Sequence, residues 1–342
     1  MIFLYILIAI LAFGFLIFIH ELGHFLFAKK FGVSIIEFSI GMGPKIISKK
    51  GKDGVEYSLK ALPIGGYVAM EGEDEESDNP NAFNKKPAWQ RFVIVLAGAI
   101  MNLIVGIIII TILMSTHSVF GSTTVTGFAE GAKSNQAGLQ IGDDITKING
   151  SSVHTSSELS YEIMRNGFEP ITITVFRNGE KVVLENVQFP QTTSQGVVFG
   201  MPDFSIAPVE KTFSSVIVNS FYTCKSTIKM IWESLIDLIR GRYGVEAVSG
   251  PVGVTGAITD AAKTGAYSLF YLIAVIAMNL GVFNLLPIPA LDGGTLVLLL
   301  IEMIFKKKLP ERVESAIKTA GFALFMLLFV VITFKDIFYL FK

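Results

Sequence analysis

His20-Glu21-Leu22-Gly23-His24 is a group whose residue types and spacing suit metal chemistry. On a helix, positions i and i+4 lie one turn apart on the same face, so both imidazoles can reach one ion. Zn²⁺ accepts neutral imidazole nitrogen and, in catalytic sites, keeps a position open for water. Glu21 cannot point with the two histidines, but it can approach that water from the side. The metal lowers the pKa of the water to about 7, and a carboxylate takes the proton as the nucleophile forms. The competing reading is a pair of membrane histidines hydrogen-bonded to neighbours, as in a proton relay. Against it, these are two of only four histidines in the chain, and they flank a glutamate inside an apolar segment. Ionisable groups in such segments are costly and usually functional.

Positioning this group is the work of a chain of 342 residues, 51% hydrophobic and 17% charged. A soluble domain carries roughly 25% charged residues, so the composition indicates a membrane protein with a water-soluble insert. The net charge of −1 gives no sign of a polyanion-binding protein, and nucleic acid is not an expected partner. The single cysteine, Cys224, can build neither an internal disulfide nor a cysteine-based zinc site.

A bilayer core about 30 Å thick needs roughly 20 apolar residues of helix. Residues 2–28, 92–114, 264–291 and 319–334 qualify or nearly do, and 337–341 can extend the last. The first stretch has the alternative of a signal peptide, but it lacks a positive n-region and runs longer than a usual apolar core. Lysine and arginine near the span ends set the orientation. Lys29, Lys30, Lys85, Lys86 and Arg91 lie between the first two spans, and Lys306, Lys307, Lys308 and Arg312 between the last two. Those loops are therefore expected to be cytoplasmic, with residues 115–263 and both termini on the other side. Residues 2–19 make about 27 Å of helix at about 1.5 Å each, which puts His20 toward the cytoplasmic end of its span.

Two histidines leave one protein ligand to find. Asp292 and Glu302 are the acids at the cytoplasmic side of the third span. Asp292 follows Asn284-Leu285-Leu286-Pro287-Ile288-Pro289-Ala290-Leu291 and precedes Gly293-Gly294. The two prolines forbid a continuous helix. Broken backbone at membrane depth is tolerated only where it is buried or lines a polar cavity. Asp292 is thus the expected ligand. Its other role would be as N-cap of a helix starting near Thr295, and the two can coexist. Glu302, beside the lysines, reads as interfacial.

The insert reads as a β-rich domain over residues 120–190. Residues 171–176 and 181–184 flank Arg177-Asn178-Gly179-Glu180, whose Asn-Gly is a strong hairpin signal. Ala137-Gly138-Leu139-Gln140-Ile141-Gly142-Asp143-Asp144-Ile145, followed by Ile148-Asn149-Gly150, resembles the PDZ pattern of bacterial membrane proteases. That likeness implies a helix from Thr155 to Asn166 beside a groove where an extended peptide adds to a sheet edge. Within 211–240, Lys225, Lys229, Glu233 and Asp237 recur every four residues on an otherwise apolar helix. Such a helix either lies in the membrane interface or packs on the insert.

With both motifs in place, the sequence resembles the site-2 protease family of intramembrane zinc metalloproteases, in particular its bacterial RseP/RasP branch. The likeness covers essentially the whole chain, including the Asn-x-x-Pro-x-Pro-x-Leu-Asp-Gly run from Asn284 to Gly293. It implies that His20, His24 and Asp292 hold zinc, that Glu21 is the catalytic base, and that Asn284 helps hold the substrate backbone near the metal. There is room for one PDZ module, whereas some members have two. The likeness also implies a membrane-associated β-hairpin after the first span, and residues 41–70 fit it. Residues 46–47 and 55–59 flank the turn-prone Lys52-Asp53-Gly54, and Pro63, Gly65 and Gly66 read as a further turn before 67–70. A transmembrane helix must unwind to be cut, and a free strand edge can pair with its exposed backbone. Gly65 and Gly66 are accordingly expected at the substrate. The alternative is a solvated hairpin. Asn102, after Ala97-Gly98-Ala99, reads as helix-packing glue or as a hydrogen-bonding group near the site.

The expected architecture is a membrane α-helical protein with four transmembrane helices, a cytoplasmic membrane-associated β-hairpin and an extracytoplasmic α+β PDZ domain. Its segments are residues 1–30, 31–90, 91–116, 120–190, 205–262, 264–305 (a broken third span) and 316–341. By the resemblance it is a zinc metalloendopeptidase of the bacterial plasma membrane that cuts single-spanning membrane proteins such as anti-sigma factors or remnant signal peptides. Peptide C-termini are candidate ligands of the PDZ domain. Two other classes compete: a metal or proton transporter using His20, Glu21 and His24 as transit ligands, and a non-catalytic scaffold presenting the PDZ domain.

Overall fold

The computed structural model describes residues 2–73, 75–194, 197–242, 248–308 and 310–340. Phe341, read as the end of the fourth span, lies outside them. Helix α1 (Ile2–Lys30) leads into strands β1 (Ile35–Lys50) and β2 (Glu56–Met70) and then helix α2 (Ala88–Thr116). Next come β3 (Val119–Phe128), α3 (Lys133–Gln136), β4 (Asp144–Ile148), β5 (Ser151–Ser152) and α4 (Ser156–Asn166). Strands β6 (Ile171–Arg177), β7 (Glu180–Val187), β8 (Gln191–Ser194), β9 (Val197–Gly200) and β10 (Phe204–Glu210) follow. Helices α5 (Phe213–Ile239), α6 (Pro251–Thr264), α7 (Ala266–Asn284), α8 (Asp292–Phe305) and α9 (Glu311–Leu340) complete the chain. Two compact units result, one from Met1–Ile108 with Ser249–Lys342 and one from Ile109–Val248.

In the first unit, α1, α7 and α9, together with α2, which continues into the second, are long and apolar enough to cross a membrane. Phe322, Leu324, Leu327 and Phe334 of α9 stand exposed, apolar surface that lipid accommodates and water does not. Small residues let the helices close up. A Cβ on Gly23 of α1 would strike the Ala97 carbonyl of α2, and one on Gly281 of α7 would lie 2.7 Å from Leu103 Cγ. The third span is interrupted as its prolines require, α7 ending at Asn284 and α8 starting at Asp292. Gly293 and Gly294 fit against the Leu286 and Ile288 carbonyls with no room for a Cβ. This tight return explains why α8 begins at Asp292 itself, with Leu291 as N-cap, three residues before the start near Thr295 read from the sequence. Asp292 therefore occupies the first turn, where the helix dipole favours a carboxylate. Glu302, read as interfacial, accepts through Oε1 from Arg91 of α2 at 2.5 Å.

Strands β1 and β2 form a two-stranded antiparallel sheet with several register shifts. Because each strand bends, Ser39 faces both Tyr67 and Ser58, and Phe38 both Val68 and Tyr57. Residues 66–70 thus run along one margin and 45–50 along the other. The sequence reading differs here on two counts. The first strand starts at Ile35, not near 46, and Gly65-Gly66 lies inside β2 rather than in a turn between two strands. Phe25, Phe38, Val55, Val68, Ile94 and Leu296 share a core that joins this sheet to α1, α2 and α8.

The second unit holds a six-stranded sheet of order β10-β3-β4-β6-β7, with β5 on β4, and a separate β8-β9 pair. Asn178 and Gly179 join β6 to β7 with φ of 51° and 87°, the double positive φ of a type I′ hairpin. Leu159 and Ile163 of α4 pack on Ile145, Ile148 and Ile173 of the sheet. β10 returns to pair with β3, Phe204 opposite Phe128 and Glu210 opposite Val119, so the sheet extends past residue 190. The polar stripe of α5 runs along α4. Lys225 meets Glu158 at 3.3 Å, Arg165 meets Asp237 at 2.8 Å, and Lys229 pairs with Glu162. Of the two readings of that stripe, packing on the insert describes where its charges go.

Candidate active site

His20 and His24 stack edge-on one turn apart on α1, with centroids 4.7 Å apart and planes at 87°. Their Nε2 atoms are 3.1 Å apart. Asp292 Oδ2 lies 3.1 Å from Nε2 of His20 and 3.4 Å from Nε2 of His24. Three potential ligand atoms this close can hold one metal ion among them. A tetrahedral Zn²⁺ with N and O ligands at about 2.0–2.1 Å separates its ligand atoms by about 3.3 Å, the size of this triangle. Asp292 Oδ2 is also buried without a hydrogen-bond partner among the described residues, the deficit a bound metal would meet. The donor set of two imidazoles and a carboxylate leaves a fourth position for water or substrate, so the residues present fit zinc.

Helix α2 sets the two rings. His24 Nδ1 lies 2.9 Å from the Ile94 carbonyl and can donate to it, which leaves Nε2 its lone pair. His20 Nδ1 lies 3.5 Å from the amide nitrogen Nδ2 of Asn102, itself 1% exposed. Between them on α2 is Gly98. A Cβ there would stand 2.9 Å from His20 Cε1 and closer still to His24 Nε2 and Cε1. Gly98 is a site residue that sequence reasoning missed. Its only signal was the run Ala97-Gly98-Ala99, which reads equally well as generic helix packing.

Glu21 turns toward the sheet. Its Oε2 accepts from the Val68 backbone N–H at 3.1 Å, so the 66–70 margin faces the glutamate. Gly66 fits between: a Cβ on it would lie 2.7 Å from the Ser39 carbonyl and 3.8 Å from Glu21 Cγ. Gly65, at φ 87°, supplies a left-handed backbone that other residues rarely adopt. Beneath this margin, Ser58 and Tyr67 donate to the buried Glu37, with Lys45 and Lys60 3.4 and 3.5 Å from it. Burial opposes ionisation of Glu37, but the two hydrogen bonds and two ammonium charges prevail and hold its carboxyl at about 2. Asn284 is half-buried at the end of α7 and makes no side-chain hydrogen bond among the described residues. The structure therefore gathers His20, His24 and Asp292, places Glu21 against Val68 beside Gly66, and ties Asn284 to none of them by a hydrogen bond.

A family model described as peptidase family M50 matches residues 8–328. A Clostridium acetobutylicum protein whose name assigns it to the zinc metalloproteases is 41% identical over 339 residues, 98% of this chain and 97% of its own length. The zinc metalloprotease RasP of Shouchella clausii is 30% identical over 416 aligned residues, 96% of this chain and 98% of its own. The regulator of sigma-W protease RasP of Bacillus subtilis is likewise 30% identical, over 96% of this chain and 97% of its own. A match of that extent, over a chain that also brings His20, His24 and Asp292 together, leads to one conclusion: the chain belongs to peptidase family M50, the site-2 protease family.

Proposed function

We propose that this protein is an intramembrane zinc metalloendopeptidase that hydrolyses peptide bonds within transmembrane segments of single-spanning membrane proteins. The observation that carries the reading is the triangle of His20 Nε2, His24 Nε2 and Asp292 Oδ2, sized for one tetrahedral ion. Those three residues hold the metal. Zinc bound there supplies a Lewis acid for the scissile carbonyl and brings the pKa of water to about 7.

The rest is the work of the chain's own residues. Glu21 accepts a proton from the attacking water as its oxygen bonds to the carbonyl carbon. It then delivers that proton to the amide nitrogen as the C–N bond breaks. The 66–70 margin of the sheet pairs with substrate backbone that has unwound from helix, so its exposed N–H and C=O groups are not left unpaired in lipid. Gly65 and Gly66 let that backbone approach, and Asn284 holds it from the α7 side. The Val68 N–H on Glu21 supports this reading, because it sets the base beside the strand that would receive substrate.

The insert acts as a PDZ domain that filters substrates by size or binds a newly formed C-terminus. The active site lies toward the cytoplasm and the insert outside the plasma membrane of a bacterium, a reading that the basic residues of the first and last loops support. Anti-sigma factors are a fitting substrate class, given that the Bacillus subtilis relative is named as a regulator of sigma-W. Remnant signal peptides are a second such class.

The test is cleavage of a transmembrane substrate by the purified protein in detergent. Cutting should stop on adding a zinc chelator and in Glu21→Gln. Continued cutting by Glu21→Gln would remove the proposed base, and metal flux without cleavage would favour a transporter.

A further inference from the structure

Helix α2 meets the histidine pair with Ile94, Gly98 and Asn102, each one turn from the next. Both Nε2 atoms face Asp292. If a cation sits there, each neutral ring must offer its Nε2 lone pair and carry its proton on Nδ1. The Nδ1 proton of His24 has an acceptor in the Ile94 carbonyl, 2.9 Å away. The Nδ1 proton of His20 needs one too, because an unpaired buried N–H is costly.

We propose that Asn102 is a positioning residue for the metal centre: its amide oxygen accepts the Nδ1 proton of His20 and fixes the ring with Nε2 toward the ion. The inference rests on the zinc reading above. Three observations carry it. Asn102 is 1% exposed, yet its side chain makes one hydrogen bond among the described residues, from its amide nitrogen Nδ2 to His20 Nδ1 at 3.5 Å. Its Oδ1 is buried and accepts no hydrogen bond, so it is available to the ring. Amide oxygen and nitrogen exchange places by a half-turn of the side chain, and the proton demanded on Nδ1 selects the oxygen. An amide serving only as glue between helices would be expected to bond to another helix's backbone or side chain, and none is present among the described residues apart from the ring itself. Partners of this kind set ligand tautomer and orientation, and losing one typically weakens metal binding by about 10–100-fold.

The experiment compares full-length wild type, Asn102→Leu and Asn102→Asp in detergent. Zn²⁺ affinity is read by competition with a chromophoric chelator, Co²⁺ uptake by visible absorption, and folding by the melting temperature of metal-free protein. The expected result is Zn²⁺ binding weakened about 10–100-fold in Asn102→Leu, with altered Co²⁺ bands. Asn102→Asp, which keeps an acceptor of the same shape, should bind as tightly as wild type or tighter. If Asn102→Leu does not fold, Asn102→Ser, too short to reach the ring, takes its place with the same expectation. Wild-type affinity in the Leu or Ser variant would reduce Asn102 to packing and overturn the proposal. Weak binding by Asn102→Asp would also overturn it, since the amide would then be donating. A wild-type protein that takes up neither metal would overturn the zinc reading itself, and this inference with it.

Discussion

Replacing Gly98 by alanine sets helix stability against site geometry. In an ordinary helix the change gains about 1 kcal/mol of propensity. An extra methyl in a packed site costs about 1–3 kcal/mol. These terms nearly offset, so the metal-free variant should melt within about 5 °C of wild type. The imidazoles have no such compensation. Ordinary contact begins at 3.4 Å, and the new Cβ would start 2.9 Å from His20 Cε1 and nearer to His24. His20 must then retreat by at least about 0.5 Å, the outer limit of what a preorganised site tolerates. The ligand triangle, with sides of 3.1 to 3.4 Å, has little slack for this. Zinc affinity should fall about 10–100-fold, and cleavage of a transmembrane substrate should fall with it. Chelator competition measures the first and gel-based cleavage the second. Gly256→Ala on α6 is the control, since a Cβ there meets nothing within 4 Å, and it should change neither. Wild-type zinc affinity in Gly98→Ala would refute the account of how α2 shapes the centre.

Other consequences follow from the same structure. Glu37 is held at about 2 against an ordinary 4.5, so the folded protein binds this proton less readily than the unfolded chain. The resulting stability is present above pH 4.5 and lost as pH falls toward 2. Glu37→Gln should therefore lower the melting temperature at neutral pH and flatten its decline across that acid window, and an unchanged profile would show that the cluster does not act this way. Arg177 donates to Asp143 through Nε at 2.6 Å and Nη2 at 2.7 Å, and Asp143 is fully buried. Arg177→Ala should destabilise the insert by about 3–5 kcal/mol, seen as rapid proteolysis between residues 109 and 248 of the full-length chain, while a resistant insert would contradict the pairing. In a Cys224→Ser background, Asn149→Cys should react with an impermeant thiol reagent on intact cells and Glu75→Cys should not, and the reverse pattern would invert the topology.

What the sequence made legible was chemistry carried by local spacing. His20 and His24 share a face because they are four residues apart, the Pro287 and Pro289 break is a backbone property, and Asn178-Gly179 specifies its own turn. The remainder depends on contacts between distant segments. Nothing near Gly98 announces that two imidazoles from another helix will lie against it. The sheet margin at 66–70 is fixed by pairing with Ser39 and by the Glu37 cluster, which draws on Ser58, Lys60 and Tyr67 at once. A local reading therefore took Gly65-Gly66 for a turn. The same holds for β10, whose partner β3 lies more than seventy residues earlier, and for α5, whose stripe acquires meaning only from Glu158, Glu162 and Arg165 of α4.

X-ray absorption at the zinc edge of the purified protein examines the ligand set without requiring a substrate. The account predicts one zinc per chain with two imidazoles and a carboxylate oxygen at about 2.0–2.1 Å, one imidazole fewer in His24→Ala, and the oxygen lost in Asp292→Ala. Zinc bound with an unaltered shell in both variants, or no zinc retained by the wild-type chain, would contradict it.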